Sequence, residues 1–302
     1  MTKLTLLDGG TGRELKRIGA PFKQPEWSAL ALIEAPAYVR RVHDAYIGAG
    51  ADVITTNSYA VVPFHIGEQR FTEQGRALAA LAGRLAHEAA LAAPRPVRVA
   101  ASLPPVCGSY RADWFDAERA RPVLEVLVAA LSPYADHWQA ETLSTVAEAE
   151  LVRSVLDDDP RPLWLAFTLR DDRVVPGDPR LRSGQPVAAA VAAAVRLRAA
   201  ALLFNCSQPE AMGDAVSVAR HAGLPVGVYA NGFAPQSAAA TANADYSETR
   251  ADLTPLHYIS WVRDWVARGA TIVGGCCGIG PEHIRLLREQ IMSSNPDAIS
   301  ES

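Results

Sequence analysis

Lysine is almost missing from this chain. Lys3, Lys16 and Lys23 are the only three in 302 residues, and none follows an apolar run, so a barrel enzyme working through a lysine Schiff base has no residue to use. Cysteine is scarce too, and four in a chain of this length make no disulfide framework. There is no G-x-G-x-x-G, no G-x-S-x-G and no P-loop, so dinucleotide enzymes, serine hydrolases and kinases lack their defining parts. None of the seven histidines ends a strand beside a nucleophile. Long apolar runs are absent as well. The most weakly polar stretch, Pro186 to Cys206, carries Arg196 and Arg198 and reads as a helix and a strand, not as a membrane span. The N-terminus meets Asp8 and two glycines before a signal segment is long enough, which predicts a cytoplasmic protein. With a net charge of −4 and no basic cluster, nucleic acid is not an expected partner.

What is present is a globular balance, 49% hydrophobic and 21% charged. Eight short apolar runs read as strands: Leu4 to Leu7, Val53 to Thr56, Val97 to Ser102, His137 to Ala140, Leu163 to Thr168, Ala201 to Asn205, Val226 to Tyr229 and Thr271 to Val273. Helical periods alternate with them. Start signals stand at Pro36, at Thr145 with Glu148, at Ser207 with Glu210, at Thr254-Pro255 and at Pro281. This alternation predicts an α/β fold, a single (β/α)8 TIM barrel over residues 1–292 with its site at the C-terminal face of the strands, and a flexible tail over 293–302. A doubly wound open sheet is the structural alternative. Three stretches exceed a simple connection, Pro104 to Phe115, Arg170 to Gln185 and Asn231 to Leu253, and in a barrel they overhang the mouth; Gln236 to Thr249 reads as mobile.

Three of the four cysteines stand where a strand meets a helix. Cys206 ends the sixth strand, and adjacent Cys276 and Cys277 follow the eighth within Gly274-Gly-Cys-Cys-Gly-Ile-Gly-Pro-Glu-His283. A parallel barrel gathers such junctions on one face, so the three thiols can meet although 70 residues separate the first from the others. Three thiolates suit Zn2+ with one coordination position left for substrate. The competing interpretation is buried, inert cysteine, the usual state of a free thiol in a protein core. Cys107 follows a Pro-Pro turn and reads as structural. Asp8 ends the first strand and Glu141 the fourth, which places both carboxylates at the mouth.

These stretches, with Gly50-Ala-Asp-Val-Ile-Thr-Thr-Asn-Ser-Tyr59, Phe167-Thr-Leu-Arg170 and Asn205-Cys206, occur in an order that resembles the homocysteine S-methyltransferases over nearly the whole chain. The resemblance implies a zinc methyltransferase whose metal is held by Cys206, Cys276 and Cys277. It also implies that Asp8 and Glu141 hold the homocysteine amino group and that the amides around Gly9, Gly10 and Thr11 receive its carboxylate. Charge chemistry agrees, because an ammonium wants carboxylate acceptors. Tyr59, Trp27 and Asn231 are further binding candidates. Asn231 lies in Tyr229-Ala-Asn-Gly-Phe233, where the sequence departs from the family's pattern. His283 is placed in the first turn of the last helix, either solvated or behind the site.

A free thiol is mostly protonated at neutral pH, and zinc would hold it as the nucleophilic thiolate. The larger relatives that use methylfolate through cobalamin carry further domains, for which eight βα units leave no room. The expected donor is therefore small and activated: a sulfonium, S-methylmethionine or S-adenosylmethionine, with Trp27 and Tyr59 facing its charge. Betaine is the alternative donor, and selenocysteine or another thiol the alternative acceptor. A protein of another class, binding a thiol or amino acid around structural zinc, would need a fourth Cys or His ligand, and none stands out. Monomer and homodimer are both open.

Overall fold

All eight apolar runs become strands in the computed structural model, which describes residues 4–237, 240, 243 and 248–292. They are β1 (Thr5–Leu6), β2 (Val53–Thr55), β3 (Arg98–Leu103), β4 (His137–Leu143), β5 (Leu163–Phe167), β6 (Ala201–Asn205), β7 (Val226–Tyr229) and β8 (Ile272–Val273). Neighbours pair in parallel in the order β1-β8-β7-β6-β5-β4-β3-β2. A bridge between Leu7 and Val53 then joins β1 to β2 and closes the sheet into a (β/α)8 barrel, which removes the open-sheet alternative.

Strands covered by helices outside and side chains inside have no polar face, and every residue from His137 to Leu143 is buried. Leu7, Val53, Ala100, Trp164, Ala166 and Leu203 pack together as one cluster inside the ring, the alanines making room for the indole. A second, larger cluster lies between strands and helices.

Local signals set most helix starts. Thr145 and Glu148 form the reciprocal cap of helix Val146–Leu156, and Thr254 accepts from the His257 amide at the start of Pro255–Arg268. The cap expected at Ser207 and Glu210 does not form. Ser207 Oγ accepts from the Leu169 amide at 2.8 Å, Glu210 pairs with Arg250 at 2.7 Å, and a 3-10 turn at Pro209–Ala211 precedes helix Met212–Ala219. At a barrel junction the neighbouring loop is within reach, and here these longer-range partners displace the local one.

The long connections follow strand C-termini as expected. Ser109 and Tyr110 from the first and Phe233 and Gln236 from the third line a cavity at the mouth. The second packs behind them, with Leu169 bridged to Leu181. Residues 293–302 lie outside the described residues, as does most of 238–247. Among the described residues, no helix is long and apolar enough to cross a membrane.

Candidate active site at the barrel mouth

Cys206 stands at the end of β6 with φ 53°, a left-handed conformation that costs a non-glycine residue about 1–3 kcal/mol. Backbone bonds hold it there. Its amide donates to the Tyr229 carbonyl at 3.3 Å, and the Cys276 amide donates to the Ala230 carbonyl at 2.9 Å, so both cysteine loops are anchored on the end of β7. The Sγ atoms of Cys206, Cys276 and Cys277 lie within 4.8 Å of one another. Tetrahedral zinc with bonds of about 2.3 Å wants its sulfurs about 3.8 Å apart, so the trio fits after small adjustment. Among the described residues no other Cys, His, Asp or Glu joins the group, and all three cysteines line the cavity. Cys107 stays apart, its sulfur 3.8 Å from the Asp116 carbonyl.

The trio shares hydrogen bonds unequally. Bonds from Cys206 and Cys276 hold Cys277 well below an ordinary thiol, with a smaller favourable field from Arg13. Its bonds with Cys206 and Cys277, followed by burial, push Cys276 well up. A metal held here would need these thiols as thiolates, so its binding would release protons.

Across the cavity lie two buried carboxylates. Asp8, 4% exposed, accepts from the Thr55 amide at 2.7 Å and from Thr55 Oγ1 at 3.1 Å. Burial raises its pKa to about 7 against those bonds, and Glu141 adds a smaller push upward. Glu141, 8% exposed, accepts from Ser102 Oγ, from Tyr229 Oη at 3.1 Å and from Gln139 Nε2 at 3.4 Å. Burial raises it too, opposed by these bonds.

Gly9, Gly10, Thr11, Trp27 and Tyr59 all line the same cavity. Gly10 has its amide committed to the Ile279 carbonyl at 3.0 Å, so it is not offered to a ligand. Tyr59 Oη meets Ser109 Oγ at 2.7 Å, and Trp27 packs edge-on against Phe22 and donates to Asn243 Oδ1. Asn231 is not brought to the wall. It is buried, and its Oδ1 accepts from the Phe233 amide at 3.2 Å, a side-chain turn that shapes the loop. His283 is half-buried, its Nε2 3.1 Å from the Leu253 carbonyl at the end of the long connection after β7, and it is not part of the cavity wall.

The profile of the homocysteine S-methyltransferase family matches residues 5–291 of this sequence. The chain belongs to the homocysteine S-methyltransferases. The Escherichia coli (strain K12) homocysteine S-methyltransferase is 31% identical over 309 residues, 94% of either chain. A selenocysteine methyltransferase from Astragalus bisulcatus is 27% identical over 99% of this chain and 95% of its own. The solved metallated form of the E. coli homocysteine methyltransferase MmuM superposes with a TM-score of 0.76 at 29% identity, covering 95% of this chain and 96% of that one.

This homocysteine S-methyltransferase family member also carries site residues that its sequence concealed. Among the described residues Arg13 is the single Lys or Arg on the cavity wall, its guanidinium 4.9 Å from the Phe233 ring centre; from sequence it is one more charge on the first helix. Asn205, quoted only as part of a motif, is a strut. It accepts from the Thr142 amide and donates to Thr142 Oγ1, both at 2.9 Å, which holds Thr142 at φ 57° beside Glu141. The glycines after Asp8 serve close approach. A Cβ on Gly10 would stand 2.6 Å from the Cys276 carbonyl oxygen and 2.8 Å from Cys277 Cα. Gly10→Ala is therefore expected to displace the Cys276-Cys277 loop and lower metal content without touching a thiol, which metal analysis of the purified variant checks.

Proposed function

We propose that the protein transfers a methyl group from a sulfonium donor, S-methylmethionine by preference, to the thiol of homocysteine, with zinc held by Cys206, Cys276 and Cys277. The observation that carries this reading is the convergence of three thiols, without a fourth protein ligand among the described residues, on a cavity that also bears two buried carboxylates. A thiol-bearing amino acid fits that arrangement, its sulfur toward the cysteines and its ammonium between Asp8 and Glu141. Zinc, when bound, would stabilise the thiolate form of the substrate near neutral pH.

The remaining work falls to this chain's own residues. Asp8 and Glu141 fix the ammonium, and Thr55, Ser102 and Tyr229 fix the carboxylates in turn. Arg13 supplies the cation for an amino-acid carboxylate, since both homocysteine and S-methylmethionine carry one. Trp27 and Tyr59 give the wall aromatic rings, by which a sulfonium is attracted by about 0.5–2 kcal/mol per ring. In the transfer the substrate sulfur forms the new S–CH3 bond. The donor's S–CH3 bond breaks with its electron pair going to the donor sulfur, so the positive charge disappears and two methionines result. Supplying homocysteine with S-methylmethionine, S-adenosylmethionine or betaine, and selenocysteine as a second acceptor, while quantifying each methylated product, tests the choice. Turnover with betaine and with neither sulfonium would show it wrong.

The raised pKa of Asp8 makes a prediction with a definite sign. Below about 7 the carboxyl of the empty protein is neutral and holds an ammonium poorly. The kcat/KM for homocysteine is thus expected to rise through an inflection near pH 7 that Asp8→Asn removes. Because the folded pKa lies above the unfolded value of 3.8, Asp8 lowers stability progressively as pH rises from about 4 to about 7. Asp8→Asn is expected to be more stable than the parent at pH 8, by on the order of 1–3 kcal/mol in denaturant titration, while binding homocysteine worse.

A further inference from the structure

Tyr110 lies in the connection after β3 with φ 68°, a left-handed conformation that an aromatic residue keeps only when its surroundings hold it. Its hydroxyl lies 2.9 Å from Cys206 Sγ. Over its ring, 4.9 Å from the centre, lies the guanidinium of Arg182 from the connection after β5. Arg182 in turn meets the Asp171 carboxylate at 3.0 Å, their side chains 1% and 0% exposed. Such a pair is costly to desolvate and contributes little to stability by itself, so its presence behind the thiols calls for another role.

Further bonds hold the pair, although the buried Arg182 Nε has no partner of its own. Asp171 also accepts from the Gln208 amide at 3.0 Å and the Gln236 amide at 3.1 Å, and Arg182 donates to the Gln236 carbonyl at 2.7 Å. Gln208 is two residues past Cys206, so the carboxylate that holds Arg182 also pins the loop carrying the cysteine.

We propose that Asp171, Arg182 and Tyr110 form a positioning relay that sets the electron density on the Cys206 sulfur, with Tyr110 donating a hydrogen bond to it. The inference rests on the zinc reading above. A cysteinate has no proton to give, so across 2.9 Å the phenol must be the donor. A cation over the ring draws density from the phenol and strengthens that bond. Outer partners of this kind tune the donor strength of a metal ligand. A less donating Cys206 leaves more acceptor capacity for the substrate sulfur.

The test is the cobalt-substituted protein, whose sulfur-to-metal charge-transfer band reports the charge on the cysteinates. Tyr110→Phe keeps the ring and removes the hydroxyl. Its band is expected at lower energy than the parent's, with the homocysteine KM raised about tenfold, the low end of what loss of an outer partner costs at a metal site. Arg182→Met is expected to move the band the same way by less, and the double variant to match Tyr110→Phe, because both act through one hydroxyl. A Tyr110→Phe band at the parent position, in protein of parental far-UV circular dichroism, overturns the relay, and that variant decides alone should Arg182→Met fail to fold. A parent protein that takes up neither cobalt nor zinc overturns the metal reading and the relay with it.

Discussion

Cys276→Ser is expected to leave the barrel folded, to purify with little zinc and to form methionine from homocysteine on the order of a thousandfold more slowly than the parent. The reasoning runs from the trio of sulfurs. Cys276 is one of three that lie within 4.8 Å of one another, and replacing a soft thiolate by a hydroxyl removes a ligand that zinc prefers. Metal assistance in such reactions is worth several kcal/mol, and each 1.36 kcal/mol is a factor of ten in rate. Its backbone anchor, the amide bond to Ala230, does not depend on the side chain, so the loss should fall on the metal and not on the fold. Zinc content measured beside the rate checks both halves. A Cys276→Ser protein with full zinc removes this residue from the ligand set.

Glu141→Ala carries the second large effect, of a different kind. Its carboxylate is buried and held by Ser102, Tyr229 and Gln139, which leaves its remaining lone pairs for a ligand. A charge-assisted hydrogen bond is worth about 1.5–3 kcal/mol, so the homocysteine KM is expected to rise about tenfold to a hundredfold. Zinc content should stay at the parental level, because Glu141 lies outside the thiol group. Steady-state kinetics with homocysteine varied, beside metal analysis, separates this outcome from that of the cysteine variant. Unchanged kinetics with intact zinc would remove Glu141 from the site.

The barrel was legible because each strand is buried on both faces and so is written as a short, nearly unbroken apolar run between turn residues. Every strand starts or ends within a few residues of its expected place. The places of Cys206, Asp8 and Glu141 on the cavity wall were legible for a related reason, since each stands at or near the C-terminal end of a strand. Residues carried by the connections were not. Tyr110 sits in an irregular turn with no periodicity to interpret, and an isolated aromatic is more often core than site. Arg182 and Asp171 are eleven residues apart in a polar loop expected only to overhang the mouth, yet they form the best-buried ion pair among the described residues. Asn231 and Ser207 differ from their linear reading in the opposite sense. Each has a plausible local or ligand-binding use in one dimension, and in three dimensions each hydrogen-bonds the backbone of a loop, its own for Asn231 and the neighbouring one for Ser207.

Methionine formed per homocysteine consumed, with S-methylmethionine as donor, measured on protein stripped of metal and again after one equivalent of zinc is restored, tests the central claim most directly. The account predicts two methionines for each homocysteine in the zinc-restored protein and essentially none in the stripped protein, with the same restored rate absent from Cys276→Ser. Equal turnover by the stripped protein, or zinc-restored protein that yields no methionine from either sulfonium, would contradict it.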